Sequence, residues 1–340
     1  MTTTSAESAL VETPRRRPLP PEVNVLIGLI LIGAVFEALG WFVRGDSFLL
    51  NPQRISIIIL QVSVVGIIAV GMTQVIITGG IDLSSGSVVA MTAFVAMSFA
   101  QVSTNARAVY PGLTDLPVIV PVVIGLAVGA LAGFVNGALI AYAKIPPFIA
   151  TLGMMVTARG IANWYTRGQP VSFPTEPYMV FGRGMMPVYI FIVVAIVFQV
   201  LLKYTVYGRR TYAIGSNVEA ARVSGINVER HLVLVYTIAG LLAGLAGIVL
   251  SSRGQTAQGG MGLMYELQAI AMTVIGGTSL SGGRGSIVGT TLGMVIFGVI
   301  ISGFTYIRVS AYYQEIIMGI IIVSAVILDV WRQRRARGRP

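Results

Sequence analysis

The densest polar chemistry in the chain lies in residues 203–231, KYTVYGRRTYAIGSNVEAARVSGINVERH. Within it Asn217 precedes a run containing Glu219, Ala220, Ala221 and Arg222, and Gly225 follows Ala221 after three residues. Asparagine is a favoured helix N-cap, alanine the best helix former, and glycine the usual residue just past a helix end. The segment therefore predicts a short polar helix with its own start and stop signals. Paired alanines let a partner surface come close, and Glu219 and Arg222 remain as charged anchors. That is the chemistry of docking, not of bond making. Groups for covalent work are scarce: the chain has no cysteine and one histidine, His231. Disulfides and thiolate metal sites are excluded, and no metal or cofactor is expected. The two lysines, Lys144 and Lys203, neither follow glycine nor precede Ser or Thr, so the chain has no nucleotide-binding P-loop of its own.

A second set of polar residues sits inside apolar runs: Gln61, Gln74, Asn136, Arg159, Asn163, Gln268 and Thr273. Polar groups in lipid are costly, which makes each a candidate for lining a translocation path. Amides both donate and accept, which suits a solute rich in hydroxyls. The same groups also bond helices to one another, at about 0.6 to 2 kcal/mol each. Glu37 and Arg159 are the ionisable side chains lying well inside such runs, and both have reach to snorkel to the nearer interface. His231, beside Arg230 at the start of a run, reads as an interfacial anchor. Asp82 reads as a helix cap in a loop.

The elements that must position these groups are long and apolar. With 55% hydrophobic and 11% charged residues among 340, the chain carries more apolar surface than a soluble core of this size needs. Ten continuous runs, at 23–43, 55–77, 87–102, 117–141, 148–165, 187–202, 232–251, 265–280, 287–303 and 312–330, predict an all-α transmembrane bundle of about ten spans. The run at 265–280 is short and contains Glu266, so it reads as tilted, broken or re-entrant. The first run could be taken for a cleaved signal peptide, but its length and Glu37 argue against that. With the N-terminus inside, inside segments hold 15 Lys and Arg and outside segments seven, which predicts that both termini are cytoplasmic. The net charge of +10 follows this topology and does not form a nucleic-acid-binding face. Residues 1–22, with Arg15, Arg16 and Arg17, read as a flexible cytoplasmic tail, 23–332 as the membrane domain, and 333–340 as a basic cytoplasmic tail. Trp41, Trp164 and Tyr165 fit an interfacial belt in contact with membrane lipid.

Glycines carry two further signals. Gly125, Gly129, Gly133 and Gly137 recur every fourth residue, a stripe that lets two helix backbones pack closely. The blocks at 79–87 and 276–286 each open with Gly-Gly, pass through Leu-Ser and lead into the next run. An internal repeat and independent turn composition both account for this.

The Glu219, Ala220, Ala221, Gly225 pattern in a large cytoplasmic loop resembles the coupling-helix motif of ATP-binding-cassette (ABC) importer permeases. YGRRTYAIGSNVEAARVSGINV, GGIDLSSGS, IPPFIATLGMM and VIGGTSLSGGRGSIVGT together resemble the ribose/xylose-type branch of bacterial sugar-importer permeases, over nearly all of 23–332. The resemblance implies an inner-membrane subunit that moves a small sugar or polyol by alternating access. It implies separate ATPase subunits docking on Glu219–Gly225, a periplasmic substrate-binding protein, and a second permease copy, identical or paralogous. VSTNARAVYPGLTDLP, at 102–117, resembles inositol-type members most. Two other classes stand beside this reading. A secondary transporter would need intramembrane carboxylates or histidines as ion couplers, and a membrane enzyme would need a clustered acid/base or metal constellation. The spans offer few of either.

Overall fold

The computed structural model describes residues 21–337 of the chain. Arg15, Arg16, Arg17 and the rest of the N-terminal segment up to residue 20, and residues 338–340 of the basic C-terminal segment, lie outside the described residues.

Each apolar run folds as a helix, and local chemistry sets the ends. The helices are α1 (Pro21–Arg44), α2 (Pro52–Ile77), α3 (Ser85–Phe99), α4 (Ile119–Ala141), α5 (Pro147–Tyr165), the single turn α6 (Glu176–Met179), α7 (Met186–Tyr204), α8 (Val206–Ser216), α9 (Val218–Val223), α10 (Val228–Gly254), α11 (Tyr265–Ile275), α12 (Ile287–Tyr306) and α13 (Ala311–Arg337). Asn51, Asn227 and Ser286 cap α2, α10 and α12 by accepting from the backbone N–H three residues on, which satisfies a donor that the helix itself leaves free. Among the described residues, strands are confined to a two-residue antiparallel ribbon, β1 (Val171–Ser172) with β2 (Thr256–Ala257).

Six of these helices, α1, α2, α4, α7, α10 and α12, are long and apolar enough to cross a membrane, and the chain is a multi-pass membrane protein. The structure departs from ten equal spans at α3 and α11. With 15 and 11 residues they reach about 22 and 16 Å, short of a hydrocarbon core of about 30 Å. α13 also continues to Arg337, through part of the stretch expected as a tail.

α10 is the axis of the bundle and packs on α4, α3 and α2. The glycine stripe of α4 meets a matching stripe on α10: a Cβ on Gly129 would stand 2.8 Å from the Gly244 Cα, and one on Gly133 would overlap the Tyr236 carbonyl oxygen. The two backbones touch, a packing open only to residues without a side chain. α2 lies on the other side and is fully buried from Val62 to Ile77, packed by α7, α11 and α12.

The two glycine-rich blocks end α2 and α11 in the same way. Gly79, at φ +83°, donates to Ile76 O and Gly80 to Val75 O; Gly277, at φ +91°, donates to Val274 O and Thr278 to Thr273 O. Both are Schellman stops that satisfy carbonyls the helix leaves unpaired. Both also lie at the same end of the bundle, joined where Gly283 N–H donates to Ile77 O at 2.8 Å.

Candidate functional site

At that same end the 203–231 segment folds as two helices rather than one. Asn217, in extended backbone, closes α8 and caps α9 by accepting from Ala220 N–H at 3.0 Å. Gly225, at φ +81°, turns the chain out of α9, and Ile226 N–H reaches back to Ala221 O. The two alanines have opposite roles. Ala221 is buried against Ile214 and Val228 and fastens α9 to its neighbours, whereas Ala220 is exposed. Val223, 90% exposed, stands beside it as an apolar knob. Arg222 is not a free anchor. Its guanidinium bridges Glu219 at 2.8 Å and Glu229 at 2.9 Å, and Lys144 from the α4–α5 turn meets Glu229 at 2.8 Å. Bonding to Glu229, with the charge of Glu219, raises the Arg222 pKa above its ordinary value. The outer surface is thus a small platform of Glu219, Ala220 and Val223 held by a four-membered ion-pair chain.

The inner surface of α8 is bonded to α2, α10 and the 276–286 loop. Tyr207 O–H donates to Gln74 Oε1 of α2 at 2.6 Å, and Thr211 pairs with His231 Nε2 of α10 at 2.9 Å. Tyr212 O–H donates to the Gly285 carbonyl at 2.8 Å. Burial raises the Tyr207 pKa, and burial with the nearby Glu22 carboxylate raises that of Tyr212, so both remain protonated donors. His231, expected as an interfacial anchor, is buried, lies with its ring tilted against Tyr207, and ties α8 to α10. A Cβ on Gly215 would overlap the Ile77 carbonyl, so α8 rests directly on the end of α2 and the 276–286 loop.

The residues expected to line a path divide into two groups. Gln74, Asn136 and Thr273 are fully buried and bonded within the bundle, Gln74 to Tyr207 and Val70 O, Asn136 to Ser84 Oγ, and Thr273 to Ile270 O. Gln61 and Asn163 are exposed and Gln268 half-buried. Arg159 is held by backbone carbonyls. It donates to the carbonyls of Gly259 and Met261 at 2.8 and 2.7 Å and so pins the irregular 255–264 segment against α5. Glu37 accepts from Trp41 Nε1 and from the backbone of Phe48 and Leu49, folding the turn after α1. Asp82 accepts from Ser84 N–H and Oγ, one turn ahead of α3, so the cap position belongs to Ser84.

α3 and α11 begin side by side. Gly86 and Gly262 approach so closely that a Cβ on either would overlap the other's carbonyl oxygen. α11 runs from there to the α8 end, and α3 runs the other way. Irregular backbone at membrane depth is tolerated where protein or a watery cavity surrounds it, and paired broken helices are how transporters place polar groups near the midplane.

Six membrane-length helices, two half-length helices that begin side by side, and a hydrogen-bonded polar unit at one end describe an integral membrane protein. The chain belongs to the branched-chain amino acid transport system / permease component family, which matches residues 54–326. It is 42% identical over 315 residues to the ribose import permease protein of Bacillus subtilis, covering 91% of this chain and 92% of that protein. It is 41% identical over 321 residues to the ribose import permease protein of Escherichia coli, covering 92% and 94%. The galactose/methyl galactoside import permease protein of Haemophilus influenzae is 39% identical over 303 residues, covering 86% and 90%. No solved structure matches.

Proposed function

We propose that this chain is the membrane-spanning permease subunit of a bacterial ABC importer, moving a monosaccharide or polyol across the inner membrane from periplasm to cytoplasm. The relatives named for ribose and galactose support the substrate class. The α8–α9 unit supports the mechanism. It presents a compact platform outward and is hydrogen-bonded inward to α2, α10 and the 276–286 loop, so force applied to the platform reaches the bundle. In this reading separate ATPase subunits dock on Glu219–Gly225, two permease chains enclose one pathway, and a periplasmic binding protein delivers the solute. All ten apolar helices contribute to the bundle, and both termini face the cytoplasm.

The pathway runs along the α5 face that carries Arg159 and Asn163, past the 255–264 carbonyls and the junction of α3 with α11. Gln61 and Gln268 are the other polar candidates. A net gain of about 0.5 to 1.5 kcal/mol per hydroxyl contact holds the solute loosely enough to be released. Selectivity then rests with the delivery protein.

The test is Glu219→Lys combined with Val223→Asp, both on exposed positions. Reversing one charge and removing the apolar knob is expected to reduce co-purification with the ATPase roughly 30-fold or more, with membrane level and thermal stability unchanged. Undiminished co-purification would overturn the docking assignment. Solute uptake in vesicles driven by an ion gradient, with no ATPase present, would favour a secondary transporter instead.

A further inference from the structure

An open cavity of about 350 Å³ lies at the α8 end of the bundle. Its polar wall is made of Glu22, Gln199, Lys203, Arg209, Tyr212 and Ser286. The wall is a built one. Ser286, the α12 cap, donates to Glu22 Oε1 at 2.9 Å, Gln199 Oε1 accepts from Val288 N–H, and Tyr212 is fixed by its bond to Gly285 O. These residues stand at the first turn of α1, the last turns of α7, the first two turns of α8 and the start of α12, so the cavity opens where three apolar helices begin or end. Among the described residues, neither Lys203 nor Arg209 forms an ion pair with a carboxylate, although both stand at the cavity that Glu22 also lines.

Below the cavity the surface is apolar. Ile192, Val193, Ile196, Val197, Val200 and Tyr204 are all exposed and fall on one stripe of α7 that leads up to Lys203. α1 and α7 each pack on α12, whose exposed Val288 lies beneath the polar wall. Two cations over an apolar track match a phosphodiester carried on a diacylglycerol. Two positive charges and one negative leave a net +1, which a headgroup of net −1 cancels, and hydroxyls on such a headgroup find acceptors in Glu22 and Gln199.

We infer that this cavity is a binding site for an anionic glycerophospholipid with a hydroxyl-bearing headgroup, its phosphate held between Lys203 and Arg209 and its acyl chain laid along α7. The site depends neither on the direction of transport nor on the identity of the transported solute.

The experiment uses the full chain purified in mild detergent and exchanged against equal amounts of phosphatidylglycerol, phosphatidylethanolamine and phosphatidylcholine of identical acyl composition. Retained lipid is counted by native mass spectrometry. One retained phosphatidylglycerol per chain is expected. Each cation is worth about 1 kcal/mol at a membrane surface, so Lys203→Gln should weaken retention ~5-fold, and Lys203→Gln with Arg209→Gln roughly 30-fold. Glu22→Gln should strengthen it, and Lys203→Arg should preserve it. If the double variant does not fold, the single Lys203→Gln measurement decides. Equal retention of all three lipids, or an unchanged double variant, would overturn the site. Displacement by millimolar inorganic phosphate would reassign it to free phosphate. Preference for phosphatidylethanolamine that is lost in Glu22→Gln would replace the anionic lipid by an ammonium-bearing one.

Discussion

The α4–α10 seam and the α8–α9 unit both depend on glycine, for opposite reasons. In the seam, Gly129, Gly133, Gly240 and Gly244 sit in ordinary helical backbone where a side chain has no room. At Gly225 nothing lies within 4 Å of a Cβ, and the requirement is the backbone conformation at φ +81°. The seam is a fixed joint in which two backbones share a surface. The α8–α9 unit is a polar assembly held by directional bonds, with one small apolar anchor at Ala221. A molecule that must move without coming apart needs both: close-packed contacts that have no alternative arrangement, and hydrogen bonds that can be exchanged.

Four substitutions test this contrast, from the strongest to the weakest. Gly133→Val forces atoms into the Tyr236 carbonyl and should cost about 3 kcal/mol or more, seen as loss of folded protein in detergent or as aggregation on size exclusion. A well-folded Gly133→Val would show that the seam can spread. Tyr207→Phe leaves Gln74 Oε1 buried without its donor and should cost about 2 kcal/mol, read as a lower melting temperature with the chain still folded. An unchanged melting temperature would mean that α8 is not fastened to α2 through this bond. Gly225→Ala keeps the space but not the conformation and should cost about 1 kcal/mol, with the loss seen as faster proteolysis after α9. Gly28→Ala, in a helical stretch of α1 with open space around it, should gain about 0.5 kcal/mol. A loss there would reveal a neighbour that the isolated chain does not contain.

Much of the α8–α9 unit is legible in the sequence because its signals are local. Asn217 and Gly225 bracket α9 as cap and stop, and both roles depend only on backbone geometry within a few residues. The α4 stripe is equally plain as a packing face, since its period places four glycines on one side. Its partner is not, because the matching α10 stripe of Gly240 and Gly244 lies more than a hundred residues away. The same limit hides the ion-pair chain. Glu229 meets Lys144 across 85 positions, so Arg222 read as a free anchor although Glu229 and Glu219 hold it. Ala220 and Ala221 look alike in sequence, and only the position of α10 decides which turns inward. The polar residues within spans divide by burial in a way composition cannot give. Gln74 faces Tyr207 because α8 folds over the end of α2, while Gln61, three and a half turns earlier on the same helix, has no such cover.

The half-length of α11 has an electrical consequence. Eleven residues bring its first turn to about 16 Å from the α8 end, leaving roughly 14 Å of a 30 Å hydrocarbon layer to be filled by the carbonyl-rich 255–264 segment and the guanidinium of Arg159. Over that stretch the surroundings are polarisable peptide rather than alkane. The Arg159 guanidinium there meets carbonyl dipoles instead of acyl chains, which lowers the cost of holding its charge within the bundle.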